Sequence, residues 1–209
     1  MLPRTGFCAQ RNNELEALLL ARLPWHPAVR LERAAAFCYY KPDAPYSRLI
    51  LDFKYHGLRY LARDLGMLMW QENDPRDFFS DGADFLVPVP IHRRRMGQRG
   101  YNQSVYLAKG FERMLSIPVR NDGICRVRNT PSQTGLSHEV RRENLHGAFR
   151  WDKAQAETLR GRHIVLVDDV ITTGTTIAAC VEALCEALGD APEKEPVRLS
   201  VLCLGFSHG

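Results

Sequence analysis

The chain has 209 residues, is 45% hydrophobic and 25% charged, and carries a formal net charge of +4. Those values belong to a soluble globule of one domain, or one domain with a small appendage, able to bury a proper core. No apolar run approaches a membrane span, and the opening Met1-Leu2-Pro3-Arg4-Thr5-Gly6 lacks a signal peptide's apolar region, so a cytoplasmic protein without membrane insertion is expected. Lysine is confined to Lys41, Lys54, Lys109, Lys153 and Lys194, the other basic residues being arginines. Arginine forks suit bidentate phosphate contacts, and a mild basic excess fits phosphorylated ligands or nucleic acid without deciding between them. The cysteines Cys8, Cys38, Cys125, Cys180, Cys185 and Cys203 are scattered with no Cys-x-x-Cys, which predicts buried reduced thiols and offers no zinc site or other structural metal.

In chain order, Asn12-Asn13 cap a short helix through Leu15, Leu18, Leu19 and Leu23 that Pro24 ends. Leu31–Tyr40 reads as a strand, and a proline-bearing turn follows over 41–45. Ser47 caps a short helix up to Tyr55, His56-Gly57 breaks it, and Leu61, Leu65 and Leu68 mark a second helix over 58–71. Asp84–Ile91 is a buried strand whose prolines Pro88 and Pro90 cannot donate to a ladder, so it stops there and becomes a loop. That loop, from His92 to Gly100, is the densest basic cluster in the chain. Asn102 caps a helix carrying Val105, Ala108, Phe111 and Leu115 on one face, and Gly123–Arg128 is the next strand. A long polar loop follows over 129–145, of the length that functional lids have.

The stretch His163–Thr176 organises the rest. A β-branched, apolar run suits a buried parallel strand; Asp168 and Asp169 stand where that strand should end; a loop of Thr172, Thr173, Gly174, Thr175 and Thr176 leads into a helix opened by Ile177. Helix-terminal N–H groups attract a phosphate, threonine hydroxyls add donors, and paired carboxylates accept from ribose hydroxyls or hold Mg2+. A Walker B strand also ends in paired acids, but the chain has no Gly-Lys pair for the matching phosphate loop. A response-regulator acidic pair is similar locally, yet sits early in its domain. Ile177, Val181, Leu184 and Leu188 give the helix its apolar face, a linker spans 189–196, and Val197–Phe206 is the last strand. Strands alternating with helices predict an α/β, doubly wound, mainly parallel sheet with helices on both faces and ligands beyond the carboxyl ends of its strands.

Val165–Thr176 resembles the PRPP-binding signature of type I phosphoribosyltransferases: apolar residues, two acids, then a Thr/Gly-rich loop. The resemblance implies that Asp168 and Asp169 bind the ribose with Mg2+, that Thr172–Thr176 bind the 5′-phosphate, and that Pro90, Ile91, His92, Arg93, Arg94, Arg95 and Arg99 form the pyrophosphate loop. It also implies a type I fold, with a small N-terminal hood over residues 1–80 on a core over 81–209. The segment 129–147 would be the lid, with Gln133, Arg141, Arg142 and Asn144 closing over the site.

A narrower resemblance rests on three motifs in order. Val87-Pro88-Val89-Pro90-Ile91 followed by Arg99-Gly100-Tyr101-Asn102-Gln103 and Leu107-Ala108 is similar to the P-V-P…R-G-[FY]-N-Q…L-A signature of the ComF (competence protein F) family. The spacing of Gln133, Leu136, Arg141, Asn144 and Phe149, and the element Lys54-Tyr55-His56-Gly57, resemble that family too. The sequence departs from it at the start, where a double-cysteine zinc ribbon is usual and none is present; Leu2-Pro3-Arg4-Thr5 resembles the stretch after such a ribbon, leaving a truncated form and a ribbon-less member both open. The resemblance implies PRPP as ligand and a role in natural transformation. Two function classes stay in play: a Mg2+-dependent phosphoribosyltransferase, and a non-catalytic module that handles single-stranded DNA with the basic loop and Tyr101. His56, His92 and His138 are acid/base candidates, each set against an ordinary surface or core histidine.

Overall fold

The structure is a computed structural model that describes residues 13–41, 43–44, 50, 52, 58–71, 78–79, 82–129, 145–191 and 194–207. Its centre is a four-stranded sheet in the order β1-β6-β5-β2, formed by β1 (Val29–Tyr39), β2 (Phe85–Pro88), β5 (His163–Ile171) and β6 (Val197–Phe206). All three pairings are parallel. Outside β2 the chain returns alongside it: Leu86 N–H donates to the Pro118 carbonyl and Arg120 N–H to the Leu86 carbonyl.

Two-residue alternation along these strands divides the core into two layers. Ala34, Ala36, Val87, Ile164, Leu166, Leu199 and Val201 face one way, against α1 (Glu14–Arg22), α6 (Thr175–Leu188) and a small antiparallel pair, β3 (Ile124–Arg126) with β4 (Phe149–Trp151). Phe37, Leu86, Val165, Val167, Leu202 and Leu204 face the other way, against α2 (Arg59–Gln71) and α4 (Gln103–Leu115). Helices thus cover both faces, as the alternating pattern requires. The expected division at residue 81 falls between strands of one sheet, because β1 is its outer strand.

Specific contacts fix the helices. Asn13 caps α1 by accepting from Glu16 N–H, and its amide donates to the Ala34 carbonyl while buried Glu16 accepts from Ala34 N–H. Helix α1 is thereby tied to the sheet edge. Helices α2 and α4 meet at glycines: a Cβ on Gly66 would lie 2.6 Å from the Leu107 carbonyl oxygen, and one on Gly110 only 3.0 Å from the Gly66 Cα. Backbone touches backbone there.

Several expectations are corrected. The stretch after Pro90 is a helix, α3 (Arg93–Arg99), capped by His92, where a loop was expected. Arginine, methionine and glutamine are good helix formers, and the missing apolar stripe hid the helix. Strand β5 does not end at its acids: the ladder runs on through Ile171 paired with Phe206, because β6 extends just as far at that end. The threonine loop shortens to Thr172–Gly174, and α6 begins at Thr175 rather than Ile177. Strand β4 and the short helix α5 (Lys153–Glu157), capped by Asp152, were not foreseen. Cys125 is exposed, whereas Cys38, Cys180, Cys185 and Cys203 are buried and free.

Candidate functional site at the carboxyl ends of β2 and β5

Strands β2 and β5 are neighbours in register, with Pro88 beside Val167, and Val89 N–H donates to the Val167 carbonyl. The residues that follow therefore emerge side by side at one end of the sheet: Pro90, Ile91 and α3 from β2, Asp168 to Thr175 from β5. This is where open parallel sheets bind ligands.

Asp168 and Asp169 are half-buried and held by local donors. Asp168 Oδ1 accepts from Asp169 N–H at 2.9 Å and from the Ser104 hydroxyl at 3.3 Å; Asp169 Oδ1 accepts from Val170 N–H at 2.6 Å. Ser104 is delivered by the start of α4, where the Asn102 side chain caps the helix and donates to the Val89 carbonyl. One asparagine so ties the acidic strand's neighbour to the helix that touches Asp168.

Thr172 is exposed and Thr173 buried, with its hydroxyl bonded to that of Thr175. Gly174 precedes α6 at φ 72°, in the left-handed region that favours glycine, and a Cβ there would lie 3.1 Å from the Leu19 side chain of α1. Side chains of Asn13, His92, Asn102 and Asp152 cap α1, α3, α4 and α5, but α6 has no side-chain cap bond. Its first-turn N–H groups, those of Thr175 and Thr176 among them, carry the positive end of a fourteen-residue helix next to the acidic pair.

The basic cluster divides. Arg93 and Arg94 are exposed, Arg99 donates to the Gln103 side chain at 3.2 Å, and Arg95 is half-buried. Sequence reasoning missed a further arginine that feels the charge of Arg95. Arg126 of β3 sits with its guanidinium 5.3 Å from the Phe149 ring centroid; burial first, then the charge of Arg95, lowers its pKa, while Cys180 and Asp168 act the other way. Ile124 is buried and Cys125 exposed, so alternation turns Arg126 inward, and a cation at an inward position of a short strand was the available signal. Behind the acids, burial and then the charge of Asp168 push the Cys180 and Cys203 thiols well up.

His92 Nδ1 accepts the Arg94 N–H at 3.2 Å, so this histidine is a helix cap. Tyr101, expected as a base-stacking partner of the cluster, is only 6% exposed, and burial raises its pKa. Gln133, Arg141, Arg142 and Asn144 of the expected lid, and His56 and His138, lie outside the described residues.

The acidic pair also answers whether Mg2+ suits this site. Among the described residues no three or more His, Cys, Asp or Glu side chains gather as a metal cage. Two adjacent carboxylates offer hard oxygens and leave the remaining positions to water and ligand phosphates, which is how Mg2+ is commonly held. The residues fit.

Residues 103–191, from the start of α4 into the linker after α6, match the phosphoribosyl transferase domain model. The chain is 37% identical over 135 residues to Competence protein F of Haemophilus influenzae, covering 64% of this chain and 58% of that protein. It belongs to the ComF family. DNA utilization protein YhgH of Escherichia coli (strain K12) is 34% identical over 163 residues, 77% of this chain and 66% of that one. Competence protein ComFC of Bacillus subtilis (strain 168) is 30% identical over 108 residues, covering 52% and 41%. The chain thus spans less than two thirds of these ComF-family proteins' own lengths. Among solved structures, a glutamine PRPP amidotransferase from B. subtilis aligns at 19% identity and a TM-score of 0.44, over 73% of this chain and 30% of its own, a distant likeness. The parallel sheet with helices on both faces and the matched domain model are those of a type I phosphoribosyltransferase fold.

Proposed function

We propose that this ComF-family protein binds PRPP with Mg2+ at the carboxyl ends of β2 and β5, as a phosphoribosyltransferase-like protein serving DNA uptake in the cytoplasm. The observation that carries the reading is the α6 terminus without a side-chain cap, which follows Asp168-Asp169 after the end of β5 and the Thr172–Gly174 turn, with Arg126 under the charges of both Arg95 and Asp168. The first-turn N–H groups of α6 and the hydroxyls of Thr172, Thr173, Thr175 and Thr176 would take the 5′-phosphate. Asp168 and Asp169 would accept from the ribose hydroxyls, oriented by Ser104 and their own backbone contacts. Arg95 and Arg126, with Arg93, Arg94 and Arg99 further out, would meet the diphosphate. Mg2+ held by the carboxylates and the diphosphate would neutralise charge on the leaving group. If transfer occurs, the site's fixed cations and N–H dipoles stabilise charge released at C1, with Gln133, Arg141, Arg142 and Asn144 as the closing lid.

Support comes from the domain match, from the site geometry, and from the names of the relatives, of which two speak of competence and one of DNA utilization. Free thiols on every described cysteine agree with a reducing compartment, and among the described residues no helix is long and apolar enough to cross a membrane. Calorimetric titration of PRPP with Mg2+ tests the ligand: binding by wild type and its loss in Asp168→Asn and Asp169→Asn is expected. Equal binding by all three, or none by wild type, overturns it. A PRPP-dependent pyrophosphate-release assay against a panel of bases and amines then separates an enzyme from a binding module. A role in handling DNA, single-stranded DNA included, does not require turnover, since fold kinship alone establishes none.

A further inference from the structure

An aromatic surface suited to nucleic acid lies on α2 and α4. Tyr60 is 55% exposed, with the Arg59 and Arg63 guanidiniums each 5.3 Å from its ring centroid. Tyr106 meets Tyr60 edge-on at 6.3 Å between centroids, and the Lys109 ammonium stands 5.4 Å from the Tyr106 centroid. Tyr101 continues the series inward, 5.5 Å from Tyr106. The glycine contact between Gly66 and Gly110 brings the two helices close enough for these rings to meet.

The charge on this surface is positive. Arg59, Lys109 and Arg113 are exposed, and no ion pair holds Arg59 or Lys109 among the described residues. Tyr106, Lys109 and Arg113 fall at i, i+3 and i+7 on one stripe of α4. Arg63 is paired with Asp64 at 2.8 Å, a half-exposed contact of small worth that a phosphate can replace. Glu112 is turned away, accepting from Val119 N–H.

We propose that the Tyr60–Tyr106 face of α2 and α4, with Arg59, Arg63 and Lys109, is a docking platform for single-stranded nucleic acid. An exposed ring, Tyr60, backed by half-buried Tyr106 and flanked by cations is an arrangement on which an unpaired base stacks while the backbone is neutralised, without reading sequence. A duplex keeps its bases stacked on one another and offers these rings nothing. An acidic peptide would use the cations and leave the tyrosines without work. The platform does not depend on the PRPP site, and its failure leaves that reading untouched.

Fluorescence anisotropy with a labelled oligo-dT, and with a duplex of equal length, tests the proposal on the whole chain. Oligo-dT should bind more tightly than duplex. Tyr60→Ala should weaken oligo-dT by at least about tenfold, and Tyr60→Phe, which keeps the ring, by no more than about twofold. Arg59→Ala combined with Lys109→Ala should flatten the slope of log affinity against log salt by about 1.4, from about 0.7 per phosphate contact. Asp168→Asn should bind oligo-dT like wild type, and Tyr60→Ala should bind PRPP like wild type. The proposal is overturned if oligo-dT does not bind, if duplex binds as well, or if Tyr60→Ala is indistinguishable from wild type. It is equally overturned if poly-glutamate binds as tightly with the same dependence on Tyr60, or if Tyr60→Ala instead dissolves a dimer seen by gel filtration.

Discussion

Alanine at Gly110 sets helix propensity against packing. In an open helix interior, glycine to alanine gains about 1 kcal/mol. Here the new Cβ would fall inside van der Waals contact with the Arg63 carbonyl oxygen and 3.0 Å from the Gly66 Cα. Both obstacles are backbone, so no rotamer relieves them and α2 must move off α4. That movement loosens Ala62, Met69, Leu107 and Phe111, all at most 1% exposed. Adding a methylene to a packed core costs about 1–3 kcal/mol, and a backbone obstacle puts this site at about 3. Subtracting the propensity gain leaves a loss of about 2 kcal/mol. For a chain of this size the melting temperature should fall by about 4–8 °C, measured by thermal unfolding with far-ultraviolet circular dichroism. Gly97→Ala is the control: it lies inside α3 with nothing within 4 Å of the added Cβ, and should raise the melting temperature slightly. A Gly110→Ala protein as stable as wild type would refute the backbone contact between α2 and α4.

Arg126→Met should weaken PRPP–Mg2+ binding by at least about tenfold, the scale of a charge-assisted hydrogen bond, with little loss of melting temperature because a partly buried charge is replaced by an apolar chain; calorimetry and thermal unfolding read both. His163 is 5% exposed, its Nε2 beside the Ser200 hydroxyl and its Nδ1 against the Gly82 carbonyl, and burial lowers its pKa. The unfolded chain then binds the proton more readily, so stability is lost as pH falls through the unfolded value of about 6.5. His163→Gln should lose less melting temperature than wild type between about pH 7 and 5.5. Iodoacetamide on the native protein, mapped by mass spectrometry, should modify Cys125 and spare Cys38, Cys180, Cys185 and Cys203; burial raises the Cys38 thiol to about 11 and the Cys185 thiol to about 12. Rapid native labelling of Cys203 would contradict its burial.

Legibility in the sequence followed the physics of each element. Strand β6 was visible to the residue because, Arg198 and Ser200 apart, its residues form the apolar run of a strand buried on both faces. The caps Asn13 and Asn102 were visible because a short side-chain oxygen before an apolar stripe has a local partner. The acids and the Thr/Gly segment were read as neighbours in sequence and are neighbours in space. What escaped depends on tertiary pairing. Asp168 and Asp169 lie within a strand because β6 runs as far as β5, which no local pattern reveals. Helix α3 has neither an apolar face nor an acidic or hydroxyl cap, only His92. Arg126 comes under the charge of Asp168 because β3 finds β4 across an intervening segment of more than twenty residues, and three-residue strands leave almost no periodicity to read. The placement of Tyr60 beside Tyr106 depends on two glycines in different helices.

The clasp of Asn13 and Glu16 on Ala34 does more than seat α1. An outermost parallel strand offers a row of amide donors and carbonyl acceptors on which a foreign strand can build. At Ala34 both groups are already taken, the carbonyl by the Asn13 amide at 2.7 Å and the N–H by the Glu16 carboxylate. A second molecule sliding along β1 meets a gap in the template midway and cannot pair across it. The first helix thereby breaks the template that β1, the outermost strand among the described residues, would otherwise present.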